Sequence, residues 1–275
     1  MKKLLLYFHL LRKDIYQQLC FRKSQMSDFK NNFLEKYSRQ MIIDEIGING
    51  QKKICDSSIS IIGCGGLGTS AAQYLSMSGI GSFKLIDDDK IMLSNLNRQT
   101  LFCEKDIGEK KSFVLASKIC EINSSAKVEQ IEKKVTKKNI NSFLKDSEII
   151  LDCTDNFESR LIINKFCHNN KKILISAALQ SFDIQVFMFA SWMKMENPCY
   201  KCIFPDLIND KNVSCDEMGI ISPVAGLGGL LQANLALNYI LELRQNFKEF
   251  LLFDTVNLNL KKISVKKNIN CGVCT

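Results

Sequence analysis

Proline is scarce in this chain, three residues in 275, and no two of them are adjacent. No stretch rich in glycine, serine or proline divides the sequence, no segment repeats, and none is low in complexity. Those absences exclude a string of domains on flexible linkers and a solenoid. No apolar run is long enough to cross a bilayer as a helix. Beyond residue 36 the chain also lacks a strong charge excess. Residues 1–36 carry eight Lys/Arg and three acids, and the rest carries 29 basic and 26 acidic groups. A nearly balanced body gives no reason to expect a nucleic-acid partner.

What is present suits a folded globular protein. Hydrophobic residues make up 46% of the chain, and this length supports one sizeable α/β core. Twelve cysteines are many. Eight are scattered through apolar or mixed segments (Cys20, Cys55, Cys64, Cys103, Cys120, Cys153, Cys167 and Cys215). The other four form the pairs Cys199/Cys202 and Cys271/Cys274, separated by 68 residues. This distribution predicts a reducing cytoplasm and one metal site rather than a disulfide framework. Four thiolates in two CxxC knuckles suit tetrahedral zinc in a closed, structural site. A redox CxxC and unconnected thiols are the competing readings.

Residues 1–35 form an N-terminal extension. The run Leu4–Leu11 after Lys2-Lys3 superficially resembles a signal sequence, but it is short and ends in Arg12-Lys13-Asp14. An amphipathic helix over residues 3–24 is expected instead. Residues 36–275 alternate strand and helix. Short apolar runs at 59–62, 83–86, 128–131, 148–152 and 173–176 read as strands. Helical spacing covers the intervals between them, including 113–122 and 158–169. The pattern predicts a Rossmann-like, mostly parallel sheet with helices on both faces. After residue 185 it changes to a strand without an intervening helix, a long apolar helix over 225–243, and a closing antiparallel hairpin near 251–265.

Gly63-Cys64-Gly65-Gly66-Leu67-Gly68 follows the first strand and opens a helix. Glycines at Gly63, Gly65, Gly66 and Gly68 serve a tight turn, close backbone approach to a phosphate, and helix–strand packing. Asp87 ends the next strand, where an acid binds ribose hydroxyls. Together these specify a nucleotide without naming it. The segment Ser94-Asn95-Leu96-Asn97-Arg98-Gln99 narrows the choice, because a hydride-transfer site has no use for so many polar side chains there. Arg98 and Lys111, converging with a helix N-terminus, suit a polyphosphate. Asp155 follows another strand end, where a carboxylate holds magnesium against substrate phosphates. Its competing role is the N-cap of the next helix.

Tyr37-Ser38-Arg39-Gln40, the glycine loop, Asp87-Asp88-Asp89, Ser94–Gln99, Asp152-Cys153-Thr154-Asp155-Asn156 and Cys199-Tyr200-Lys201-Cys202 resemble the ATP-dependent activating enzymes of the ThiF, MoeB and HesA family. The triple aspartate and the stretch Cys199–Asp206 lean toward ThiF. The resemblance implies a nucleotidyltransferase that uses Mg-ATP to adenylate the C-terminal glycine carboxylate of a small ubiquitin-like sulfur carrier, ThiS-like or MoaD-like. Sulfur from a separate donor such as a cysteine desulfurase then replaces AMP. It further implies that Gly66 and Asp87 contact adenosine, that Asn95, Arg98 and Lys111 hold phosphates, and that Asp155 binds magnesium. Asp89, Ser94 and Asn156 complete the implied nucleotide set. Arg39 resembles an arginine lent to a partner subunit's site, which implies a homodimer. Cys215 matches a loop cysteine that forms a thioester or acyl-disulfide, although Asp216 and Glu217 beside it disfavour a thiolate. Two departures stand out. Cys64 occupies the second loop position, and Lys110 stands where relatives often have proline, so either Lys110 or Lys111 is a candidate phosphate ligand. A tRNA-directed dehydratase or cyclase of the same family is the alternative function.

Overall fold

The structure is a computed structural model, and it describes residues 31–205, 219–243 and 245–275. The helix expected over 3–24 and the candidate Cys215 lie outside the described residues. The chain divides into two compact units, residues 1–52 and 53–275. In the first unit, helix α1 (Asn31–Met41) carries Arg39 in its last turn. Phe33 and Tyr37, one turn apart on α1, meet edge to face with ring centroids 5.0 Å apart. Helix α2 (Gly47–Asp56) follows.

The second unit is built on an eight-stranded sheet. Its strands are β1 (Ser58–Ile62), β2 (Ser82–Ile86), β3 (Lys127–Ile131), β4 (Ile149–Asp152), β5 (Ile173–Gln180), β6 (Asp183–Phe189), β7 (Glu249–Asp254) and β8 (Asn259–Ser264). They lie in the order β3-β2-β1-β4-β5-β6-β7-β8. The first five pair in parallel, and β6, β7 and β8 close the sheet antiparallel. The helices are α3 (Gly66–Ser78), α4 (Lys111–Ile122), α5 (Ile140–Leu144), α6 (Phe157–Asn169), α7 (Tyr200–Ile203) and α8 (Ser222–Ile240).

Period-two alternation explains how one sheet feeds two cores. Ile59 and Ile61 of β1, Ile149 and Leu151 of β4, and Ile173 and Ile175 of β5 join α3, α4 and α8 in one cluster. Ile62, Ile150 and Leu174 point the other way, into a cluster with α5, α6 and α7. Central parallel strands covered on both sides must be apolar throughout, and β4 is buried at every position. Helix α8 is mostly apolar, with Val224, Ala225, Ala233, Ala236 and Ile240 buried. It begins at Ser222 with proline in its first turn, where a missing N–H costs no helical bond. Gly229 lets it lie against α3, since a Cβ there would sit 2.4 Å from the Leu67 carbonyl.

The parallel order reverses between β1 and β4. Open α/β sheets bind ligands beyond the carboxyl ends of the strands at such a point.

Candidate active site

A cleft of about 450 Å³ opens at that point, among the segments that leave β1, β2 and β4. This volume is within the usual range for a small-molecule site. Gly63, at the end of β1, has φ +93°, and a Cβ would lie 2.6 Å from the Cys153 carbonyl. A Cβ on Gly68 would lie 2.0 Å from the Gly63 carbonyl. These glycines hold the turn against β4 and α3 against the turn. Gly65 and Gly66 line the cleft where α3 starts, with the helix amides and dipole favouring an anion.

Asp87 follows β2, and its carboxylate is already organised. Oδ2 accepts from Cys64 N at 2.6 Å and Oδ1 from Asp89 N at 2.8 Å. Each oxygen keeps a lone pair for a hydroxyl donor. Burial raises the Asp87 pKa above the ordinary carboxylate value, and the Cys64 amide bond and Lys111 oppose that shift.

The segment after β2 turns through a short 3-10 helix, Leu93–Asn95. Asn95 is buried, and its Oδ1 accepts from Met92 N at 3.1 Å. Arg98 lines the cleft, and its Nη1 donates to the Ser94 carbonyl and to Asn97 Oδ1, each at 3.1 Å. Ser94 itself is exposed and does not line the cleft; its carbonyl orients Arg98. Ser222 Oγ donates to the Asn97 carbonyl, tying the start of α8 to this segment.

Of the two candidate lysines, Lys111 is the one that lines the cleft. Its Nζ is 2.7 Å from Asp89 Oδ2 with only 8% of its side chain exposed. Lys110 precedes α4 and donates instead to the Asp88 carbonyl at 2.6 Å. Asp89 thus holds Lys111 in place with a counter-charge of its own.

The segment after β4 resolves the choice between cap and ligand at Asp155. Asn156 is the N-cap of α6, accepting from Ser159 N at 2.9 Å. Asp155 is exposed at the cleft, and its Oδ1 accepts from Asn156 Nδ2 at 3.2 Å. Capping therefore occupies Asn156 and leaves the Asp155 carboxylate available to a cation.

Five residues at or beside the site had no role assigned from the sequence. Asp152 is fully buried, and its carboxylate accepts from Thr154 N, Thr154 Oγ1 and Ser176 Oγ. Arg160, buried in the first turns of α6, donates to the Thr154 carbonyl. Gln232 of α8 is fully buried and donates to the Asp152 and Ile175 carbonyls at 2.9 and 3.0 Å. Lys133 and Lys134 extend the basic lining beyond β3. For Gln232 the available signal was a buried polar residue in a largely apolar helix. Cys64 and Cys153 flank the turn, and burial pushes both thiols well up. Neither is a nucleophile at neutral pH. Arg39 belongs to the first unit and is exposed in the last turn of α1.

The two CxxC pairs come together away from the cleft. All four sulfurs lie within 4.8 Å of one another. Sγ–Sγ distances are 3.6 Å for Cys199–Cys271, 3.9 Å for Cys199–Cys202 and 3.4 Å for Cys202–Cys274. Disulfide sulfurs would be about 2 Å apart. A zinc–sulfur bond of about 2.3 Å implies tetrahedral edges of roughly 3.8 Å, so the cluster can bind zinc. Asn164 of α6 donates to Cys199 Sγ at 3.5 Å and accepts from Tyr200 N at 2.9 Å. An outer-shell amide of this kind orients a metal ligand.

Residues 37–273 match the ThiF family. The chain belongs to that family. It is similar to the sulfur carrier protein ThiS adenylyltransferase of Escherichia coli (strain K12), at 35% identity over 240 residues, 87% of this chain and 94% of that protein. It is also similar to the SAMP-activating enzyme E1 of Haloferax volcanii, at 32% identity over 243 residues and 88% of each chain. A crystal structure of E. coli MccB with ATP shares the fold of this ThiF-family chain, with a TM-score of 0.75 and 23% identity over 96% of this chain and 81% of that one. Among the described residues no helix is long and apolar enough to cross a membrane.

Proposed function

We propose that this protein is an ATP-dependent adenylyltransferase for the C-terminal glycine of a small ubiquitin-like sulfur-carrier protein, acting in a reducing cytoplasm. The observation that carries the reading is one cleft, in a ThiF-family chain, lined by the glycine loop, Asp87, Asn95, Arg98, Lys111 and Asp155.

The chemistry follows from the charges. The carrier's terminal carboxylate is ionised at neutral pH, so its attack needs no general base. Its oxygen bonds to the α-phosphorus of ATP, the bond from that phosphorus to the bridging oxygen breaks, and pyrophosphate leaves with the electron pair. Negative charge grows on the phosphate oxygens during this step. Arg98 and Lys111 lie ready to meet it, each held by partners that fix its direction. Preorganised groups of this kind stabilise the transition state without reorganising during it. The turn amides at Gly65 and Gly66 serve the phosphates, and Asp87 serves the ribose.

Asp155 fits magnesium, because it offers a hard oxygen ligand unspent on capping. When bound, the ion neutralises polyphosphate charge. The cysteine cluster fits structural zinc, which would fasten the C-terminal residues to the segment around Cys199. In this reading Arg39 reaches the site of a second subunit, so the active form is a homodimer. A sulfur donor such as a cysteine desulfurase acts after adenylation.

The test is pyrophosphate–ATP exchange measured with candidate carriers ending in Gly-Gly. Exchange should appear only with a carrier and vanish when its terminal glycine is removed. Carrier-independent exchange, or none with any such carrier encoded alongside this chain, would refute the proposal.

A further inference from the structure

Arg160 is a buried cation that no part of the reaction above uses. It lines the nucleotide cleft and is 4% exposed. It lies five residues beyond Asp155, one turn into α6. One guanidinium nitrogen, Nη2, donates to the Thr154 carbonyl, the peptide group that leads into Asp155. The other, Nη1, is 3.4 Å from Ser176 Oγ on β5. Ser176 Oγ in turn donates to Asp152 Oδ2 at 2.9 Å. Thr154 N and Oγ1 donate to Asp152 Oδ1 at 3.1 and 2.6 Å. The turn between β4 and α6 is thus fixed from both sides. Asp152 holds the N–H and hydroxyl of Thr154, and Arg160 holds its carbonyl.

That arrangement has a consequence for Asp155. An exposed carboxylate on a turn is a poor cation ligand if the turn wanders, because magnesium tolerates little departure from octahedral geometry. A guanidinium offers several donors in a rigid plane, so it can clamp a carbonyl and a hydroxyl together.

We propose that Arg160 is a positioning residue for the metal edge of the nucleotide site: by clamping the Thr154 carbonyl to Ser176 it presents the Asp155 carboxylate to the magnesium ion of Mg-ATP. This rests on the adenylyltransferase reading only in taking the nucleotide to be metal-bound.

The test is calorimetric titration of ATP into the full chain, with magnesium and with EDTA, for the wild type, Arg160→Gln and Arg160→Lys. It needs no carrier and no turnover, so it reports on Arg160 even if adenylation proves wrong. Arg160→Gln should lose roughly tenfold of the magnesium-dependent gain in ATP affinity, the scale of one charge-assisted hydrogen bond. Affinity in EDTA should change by less than about twofold. Arg160→Lys retains the charge and one donor, and should recover part of the loss. If Arg160→Gln fails to fold, the lysine variant decides alone, with an expected loss of about threefold. An unchanged magnesium gain in the folded variants, an equal loss with and without magnesium, or a wild type indifferent to magnesium would each overturn the assignment.

Discussion

The nucleotide cleft and the cysteine cluster solve opposite problems on one sheet. The cleft keeps charge accessible. Arg98, Asp155 and Asp89 stand at or near the surface, and each is steered by a hydrogen bond or ion pair rather than by burial. The cluster hides its ligands. Cys199, Cys271 and Cys274 are buried, their sulfurs lie against one another, and Asn164 donates to Cys199 Sγ. Most of the cleft is built from segments between the parallel strands and the helices that follow them, with Ile220 and Ala225 added from around the start of α8. The cluster joins segments separated by 68 residues. Charge chemistry here belongs to the parallel half of the sheet. A metal held by the four cysteines would fasten residues 271–274 to the segment around Cys199.

If that division is right, the two regions fail in different ways. Arg98→Ala should give the largest effect, a loss of about 10²–10³-fold in pyrophosphate exchange, as for removal of one preorganised transition-state donor. Its thermal midpoint should move by no more than about 2 °C, because the side chain is half-exposed. Exchange that survives would remove Arg98 from the phosphate site.

Cys271→Ser should reverse the pattern. We expect loss of bound zinc by atomic absorption and a fall of roughly 10 °C in the thermal midpoint, since zinc binding is coupled to folding. ATP affinity well below the new midpoint should change by less than about threefold. Loss of ATP binding in a folded, zinc-free protein would break the separation between the regions.

A smaller effect tests the subunit exchange assigned to Arg39. Arg39→Ala and Arg98→Ala proteins, each inactive alone, should regain about a quarter of wild-type exchange when unfolded and refolded together in equal amounts. Half the dimers would be mixed, each with one intact site. No recovery in verified mixed dimers would place Arg39 in its own subunit's site, or outside catalysis.

Much of this fold is legible in the sequence because buried parallel strands must be apolar and must end before polar turns. The runs at 59–62 and 148–152 could serve as little else, and the glycine loop declares its geometry through residues only glycine can replace. Asp155 and Asn156 were harder. Both are good capping residues and they are adjacent, so spacing alone could not say which one caps α6. The hydrogen bond from Ser159 N decides it. Arg160 and Gln232 were invisible for another reason. Arg160 sits in a helix of mixed polarity, and Gln232 shares its helix with the polar Asn234 and Asn238, so neither position declares its role in the sequence. Their value depends on the carbonyls of Thr154, Asp152 and Ile175, which only the folded sheet brings within reach. Strand β5 runs on to Gln180 because β6 pairs with its second half, a tertiary fact with no local marker.

Adenylate transfer to a protein carboxylate is the reaction proposed for the cleft. Its most direct test is the intact mass of a Gly-Gly-terminated carrier after incubation with this protein, ATP and magnesium, quenched in acid. The account predicts a carrier heavier by one adenylate, with none on a carrier lacking the final glycine. ATP consumed while the carrier's mass stays unchanged would contradict it.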